Sequence, residues 1–178
     1  MMLLSRRYSL TLVYNRFLSL VLAFRLFHKN MLSMFLFSCF TGLRFSDVSK
    51  LTKENIFSED IVFTSEKTGK FQRIPLNNSA KRYLDPIDIF KGNYTNEYFN
   101  RELKEIAKIV GIRKKITFHV SRHTFATNFL SCGGRVEHLQ KLLGHSKIED
   151  TMIYVHIVEI LTNSQIKLMD KIFKKSSV

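Results

Sequence analysis

Residues 31–39 are apolar at almost every position (Met31, Leu32, Met34, Phe35, Leu36, Phe37), and the run stops at Thr41-Gly42. Such a run predicts a buried helix, and Gly42 suits the C′ position, where a positive φ is wanted. A second short helix is expected next, with Ser46 as N-cap and Val48 and Leu51 facing inward. The pattern then changes period. Ile61-Val62-Phe63-Thr64-Ser65 and Phe71-Gln72-Arg73-Ile74-Pro75-Leu76 are rich in β-branched and aromatic residues, and the polar stretch Glu66-Lys67-Thr68-Gly69-Lys70 between them holds the glycine of a hairpin turn. Pro75 cannot donate to a ladder, so it belongs at a strand end or an edge. The Asp85-Pro86-Ile87-Asp88 stretch reads as an irregular connection.

Helical spacing returns after Thr95, a suitable cap. Phe99, Leu103, Ile106 and Val110 recur on one face up to a stop at Gly111. Thr117 is the expected cap of a further helix from about His119 to Ser131, closed by Gly133-Gly134. Val136, Leu139, Leu142 and Leu143 mark a shorter helix ended by Gly144, and Glu149 and Asp150 open the helix that carries Tyr154. The tail, with Ile160, Leu161, Ile166, Met169 and Phe173, has an amphipathic pattern. The fold class expected is mainly α with a small antiparallel β-hairpin or sheet (α+β), without an internal repeat.

A length of 178 residues fits one domain, able to bury roughly two-thirds of the surface of its unfolded chain. With 45% hydrophobic and 24% charged residues the chain is neither disordered nor of low complexity. The charge is more telling: 28 Lys+Arg against 15 Asp+Glu leave +13 at pH 7. That excess calls for a polyanionic partner, nucleic acid first and an anionic membrane surface second. Residues 1–46 hold no acid, while Arg6, Arg7, Arg16, Arg25, Lys29 and Arg44 are basic, and a second basic cluster runs through Arg101, Lys104, Lys108, Arg113, Lys114, Lys115 and Arg122. Cys39 and Cys132 form neither a disulfide framework nor a metal pattern, and read as buried free thiols in a reducing cytoplasm. The apolar stretch around residues 18–24, bracketed by Arg16 and Arg25, is far short of the ~20 residues of a membrane span. The expectation is a soluble chain with no membrane partner.

The helix after Thr117 brings His119, Arg122 and His123 together at i, i+3 and i+4. Two histidines at this spacing can ligate zinc, but no Glu stands between them as in H-E-x-x-H, and a guanidinium shares their face. Taken singly, each histidine also reads as a hydrogen-bonded core residue. An arginine flanked by two imidazoles makes better sense as an oxyanion clamp, because guanidinium donates bidentately to phosphate. Three more segments accompany it: Thr41-Gly42-Leu43-Arg44-Phe45-Ser46-Asp47, Leu142-Leu143-Gly144-His145-Ser146 and Thr151-Met152-Ile153-Tyr154.

With His119-Val120-Ser121-Arg122-His123-Thr124-Phe125-Ala126-Thr127, these segments resemble, in order and spacing, the catalytic domain of the tyrosine recombinases, the site-specific integrases of phages and conjugative transposons. The resemblance covers about residues 30–175 and implies a site residue by residue. Arg44 resembles the first catalytic arginine and Lys67 the catalytic lysine; Lys67, followed by Thr68-Gly69 and later by Ile74-Pro75-Leu76, fits better than Lys70. His119 and Arg122 match the His-x-x-Arg pair, His145 matches the histidine of the Leu-Gly-His motif, and Tyr154, nine residues further on, stands at the nucleophile.

The resemblance implies cutting and rejoining of double-stranded DNA through a 3′-phosphotyrosine, without metal, ATP or another cofactor. The residue chemistry agrees. Arg44, Arg122 and His145 can donate to non-bridging oxygens, Lys67 can protonate the leaving 5′-oxygen, and His119 can act as acid, base or positioning group. The acids are scattered, with Asp85/Asp88 and Glu149/Asp150 as close pairs, so carboxylates for a two-metal site are not expected. Asp47 reads as a cap or as an arginine partner, and no G-x-x-x-x-G-K loop is present. The family usually carries an N-terminal helical DNA-clamping domain. The expected organisation here is a basic leader over residues 1–29, without that domain, followed by the catalytic domain over 30–178. Such a chain reads as a truncated product, an excised domain or a single-domain relative. The family's tail docks on a neighbouring protomer, which makes residues 160–173 either a self-association surface or a segment packed in cis. Two functions therefore stand: an active DNA-rejoining enzyme of the bacterial cytoplasm, associated with the nucleoid, or a DNA- or partner-binding module that does not turn over.

Overall fold

The computed structural model describes residues 26–84 and 94–166. The 85–88 connection, most of the basic leader and the tail beyond 166, with Met169 and Phe173, lie outside the described residues. The chain divides into two compact units, Met1–Phe125 and Ala126–Val178.

In the first unit, helix α1 spans Leu26–Thr41. Met31, Leu32, Met34, Phe35, Leu36 and Phe37 are all buried, which accounts for a run with no polar face. The helix ends as its composition predicts: Gly42 adopts φ 72 and its N–H donates to Ser38 O at 2.9 Å. Helix α2, Phe45–Val48, follows with Arg44 at the N-cap, so Ser46 lies inside the helix rather than capping it. Backbone bonds to Arg44 O close this turn without a side-chain acceptor. Val48 and Leu51 are buried as expected.

A three-stranded antiparallel sheet comes next, in the order β1 (Ile56–Phe57), β2 (Asp60–Thr64) and β3 (Phe71–Pro75). Its register pairs Ile61 with Ile74 and Thr64 with Phe71, and the two isoleucines point into the core. Pro75 closes the edge strand β3, where no ladder N–H is lost. Strand β1 is an addition to the expected hairpin, since two residues are too few to show a period. Helix α3, Asn78–Lys81, is likewise too short to read from sequence. Asn77 creates it: its Oδ1 accepts from Ala80 N at 2.8 Å while its Nδ2 donates to Phe40 O at 3.0 Å, holding α3 against α1.

Helix α4, Asn96–Ile109, starts at Thr95, whose hydroxyl accepts from Tyr98 N at 3.2 Å. Phe99, Leu103 and Ile106 are buried. Phe99 joins Phe45 and Phe118 in an edge-to-face cluster with ring centroids 5.2–5.4 Å apart. Helix α5, His119–Ser131, has the expected bounds. Its expected cap differs, because Thr117 contributes only its carbonyl, to Val120 N. Cys39 is buried, but Cys132 is exposed, against the expectation of two buried thiols.

The second unit holds the end of α5, helix α6 (Val136–Leu143) and helix α7 (Glu149–Ile166). Leu139 and Leu143 are buried, and α6 packs against α7. Gly144 ends α6 at φ 62, the left-handed geometry that its place in the motif predicts.

The aromatic cluster predicts a specific weakness. Phe99→Ala removes a fully buried ring from three edge-to-face contacts, with Phe45, Phe118 and Tyr94, so urea unfolding is expected to show a loss of about 3–5 kcal/mol. A loss below about 1 kcal/mol would mean that the cluster does not organise the unit.

Candidate active site

In the first unit the chain turns sharply at Gly42, and the next residues line a pocket of about 320 Å³. Arg44, Lys67, His119 and Arg122 meet there, with Leu43, Phe45, Ser46, Asn96 and Phe118 completing the lining. Four of the six expected site residues, drawn from three separate segments, thus converge.

Each is held by a distinct device. Arg122 is 3% exposed, and its Nη1 donates to Gly42 O at 2.7 Å, joining α5 to the end of α1. Arg44 caps α2 and lies 3.9 Å from the carboxylate of Asp47, which is thus an arginine partner. The same buried carboxylate accepts from Glu66 N at 2.9 Å and from the Ser65 hydroxyl at 3.3 and 3.4 Å. Asp47 therefore ties the Arg44 turn to the β2–β3 turn that carries Lys67. That turn is closed by Ser65 N on Lys70 O and Gly69 N on Ser65 O. Lys67 reaches the pocket lining and Lys70 does not.

His119 stands at the rim with its ring edge-to-face against His123, centroids 4.4 Å apart. Partial burial, then His123, then the charges of Arg122, Arg44 and Lys67 push its pKa below the ordinary imidazole value. Burial first, and Arg122 second, do the same to His123. Both rings are therefore predominantly neutral at pH 7, and His119 can accept or donate a proton. The lining contains no acid, so the pocket is an array of donors suited to a tetrahedral oxyanion. Among the described residues no three His, Cys, Asp or Glu side chains cluster as metal ligands.

His145 and Tyr154 belong to the second unit. His145 follows the left-handed Gly144; its N–H donates to Gln140 O at 3.1 Å and its carbonyl accepts from Gln140 Nε2 at 3.3 Å. Its Nδ1 is 2.9 Å from the hydroxyl of Thr151, a fully buried residue on α7. Tyr154 lies three residues on along the same helix and is itself 2% exposed. Sequence reasoning did not reach Ser65, Gln140, Thr151, Asn96 or Asn100. Ser65 and Asn100 act on residues 18 positions away and Gln140 and Thr151 on the turn at His145, and only the position of Thr151 within the Tyr154 motif hinted at a role.

The Phage integrase family profile matches residues 19–159, and the chain belongs to that family. It is 33% identical over 128 residues to the integrase of Haemophilus phage HP1, a match covering 71% of this chain and 37% of that protein. To the tyrosine recombinase XerD of Listeria innocua it is 33% identical over 141 residues, covering 67% of this chain and 48% of the relative. The chain thus spans less than half the length of these curated relatives. Among solved structures, XerA recombinase superposes with a TM-score of 0.70 at 23% identity, over 86% of this chain and 60% of that one. A lambda integrase dimer bound to a core site superposes at 0.65 and 19% identity, over 79% of this chain and 56% of that one. These superpositions establish the fold: a mostly helical domain with a small antiparallel sheet.

The depressed imidazoles set a pH dependence. In the unfolded chain His119 and His123 bind protons near the usual pH of about 6.5, and in the folded chain only at lower pH, so the unfolded state holds more protons between the two values. Their contribution to stability therefore rises with pH through that window and is lost as pH falls. Thermal unfolding is expected at a lower temperature at pH 5.5 than at pH 7.5. His119→Gln combined with His123→Gln should narrow the difference; an unchanged difference would place its source elsewhere.

Proposed function

We propose that residues 30–178, behind a basic leader at 1–29, form the catalytic domain of a tyrosine-type site-specific recombinase that cuts and rejoins double-stranded DNA. The convergence of Arg44, Lys67, His119 and Arg122 on one small, acid-free pocket carries this reading. In the proposed reaction the Tyr154 oxygen attacks phosphorus and the P–O5′ bond breaks. The result is a 3′-phosphotyrosine and a 5′-hydroxyl, whose proton comes from Lys67. Reversal by a 5′-hydroxyl from another strand rejoins the DNA and releases the tyrosine. Arg44, Arg122 and His145 donate to the non-bridging oxygens as charge grows on them, and His119 exchanges or positions a proton. The Thr151 hydroxyl holds the imidazole of His145 in place through Nδ1. No metal ion, ATP or other cofactor enters these steps.

The partner proposed is duplex DNA, in keeping with structural neighbours solved on DNA, among them XerH on a difH substrate and lambda integrase on a core site. Lys104, Lys108, Arg113, Lys114 and Lys115 surround a groove of about 670 Å³ at the end of α4, the surface proposed to follow the flanking backbone. Ile153, Ile157, Ile160 and Leu161 on α7 are exposed large apolar residues, which favours self-association through the C-terminal helix and tail. Among the described residues no helix is long and apolar enough to cross a membrane, and the proposed location is the bacterial cytoplasm, at the nucleoid. The second reading, a DNA- or partner-binding module that does not turn over, draws on the burial of Tyr154. At 2% exposure a DNA strand reaches its hydroxyl only after a rearrangement around α7.

A nicked suicide duplex from the ends of the surrounding genetic element separates the two. The enzyme gives a covalent adduct that Tyr154→Phe abolishes and that Arg122→Ala slows by about 10²–10³. Noncovalent binding with equal, background adduct in wild type and Tyr154→Phe supports the binding module instead. Affinity is also expected to fall steeply with salt, because each neutralised phosphate adds about 0.9 to the slope of log K against log salt. Replacing Lys104, Lys108, Lys114 and Lys115 with Ala should reduce that slope by about 3–4. A salt-insensitive affinity would point to a protein or membrane partner.

A further inference from the structure

Asn100 occupies the second turn of α4, a helix interior where Asn is a poor choice because its amide competes for backbone partners. Its side chain makes one bond to another segment and one back along its own helix. Oδ1 accepts from Phe118 N at 2.6 Å, 18 residues away, and Nδ2 donates to Asn96 Oδ1 at 3.2 Å. Asn96 and Phe118 both line the pocket, and Phe118 immediately precedes His119.

We propose that Asn100 is a positioning residue for the His119/Arg122 end of α5, clamping the first turn of that helix to α4 through the Phe118 amide. The proposal rests on the recombinase reading for its kinetic consequence, but its geometry stands alone. A helix start leaves its first N–H groups without intrahelical acceptors. The residue placed to serve as cap, Thr117, uses its carbonyl and not its hydroxyl, so the acceptor comes from another helix. Consecutive residues of α4 thus hold one residue of the α5 entry in two ways. Phe99 holds the ring of Phe118 edge-to-face at 5.2 Å, and Asn100 holds its N–H.

The second contact is directional where the first is not. Ring packing tolerates a small slide, while a 2.6 Å hydrogen bond to a backbone N–H sets the height and rotation of the turn. His119 is one residue beyond that bond and Arg122 one helical turn beyond, so both inherit its precision. Arg122 has its own anchor in Gly42 O, one turn further along the same end of the helix. Asn96, held by the other end of the same amide, places its backbone and side chain at the pocket mouth in fixed relation to His119.

The test compares Asn100→Ala, which removes both bonds, with Asn100→Asp, which keeps an acceptor for Phe118 N and loses the donor to Asn96. On the suicide duplex, single-turnover cleavage by Asn100→Ala should fall about 10- to 100-fold, the range expected when a reacting group is misplaced by about 1 Å. DNA affinity and folded fraction should stay close to wild type. Asn100→Asp should recover most of the rate, and its added carboxylate should move the acidic limb of the pH–rate profile upward by favouring protonated His119. Wild-type cleavage by Asn100→Ala, equal impairment of the two variants, or a loss that tracks the folded fraction overturns the clamp. If wild type forms no adduct, the recombinase reading fails on its own account. Hydrogen exchange at the Phe118 amide then decides the clamp: at least tenfold faster in Asn100→Ala and protected in Asn100→Asp supports it, and equal protection in all three chains overturns it.

Discussion

The pocket gathers Arg44, Lys67 and Arg122 without an acid in its lining, and the surrounding structure is arranged to hold that repulsion. Two like charges about 6 Å apart repel by about 3 kcal/mol at an effective dielectric near 20. One buried carboxylate and one backbone carbonyl oppose it directly. The Asp47 carboxylate lies 3.9 Å from the Arg44 guanidinium and hydrogen-bonds to the hairpin turn bearing Lys67. Gly42 O takes the guanidinium of Arg122. That carbonyl is available because α1 ends there in a left-handed turn, so the glycine that stops the helix also presents the arginine's acceptor.

Burial first, and the same field after it, explain the imidazoles. Partly screened from water and surrounded by cations, His119 is held neutral, whereas a solvated histidine would be partly charged near pH 6.5. A neutral ring adds nothing to the repulsion and keeps both a donor and an acceptor nitrogen for chemistry. The surface ion pairs of the sheet, such as Arg73 with Asp60 and Lys50 with Glu66, are exposed and contribute little by comparison. The buried core includes Phe99 and Phe118 of the aromatic cluster they form with Phe45, and Phe118 leads directly into His119.

Long elements with several periods were legible in the chain: α4 and α5 begin and end where capping and glycine signals put them. Short elements were not, because β1 and α3 are smaller than any period and exist through pairing with β2 and through the two-sided amide of Asn77. The expected caps differ at Ser46, where backbone bonds to Arg44 O close the turn, and at Thr117, where Asn100 of another helix supplies an acceptor to the next residue. Cys132 is exposed for a related reason: it follows the last turn of α5, and neighbouring residue types do not reveal which side of a helix end faces water.

The sequence by itself named Arg44, Lys67, His119, Arg122, His145 and Tyr154 as the expected site residues, by chemical type and order, and the first four of them line one pocket. It favoured Lys67 over Lys70 on the Thr68-Gly69 and Ile74-Pro75-Leu76 that follow, and the fold puts Lys67, not Lys70, in the pocket lining. Only the tertiary structure decided how those groups are held. Asp47, Ser65 and Asn100 act across 18 or 19 residues, over distances that no local period encodes, and Thr151 reaches His145 across the turn between α6 and α7. Their hydrogen bonds depend on backbone groups that every residue possesses, and such partners become identifiable only once the chain is folded.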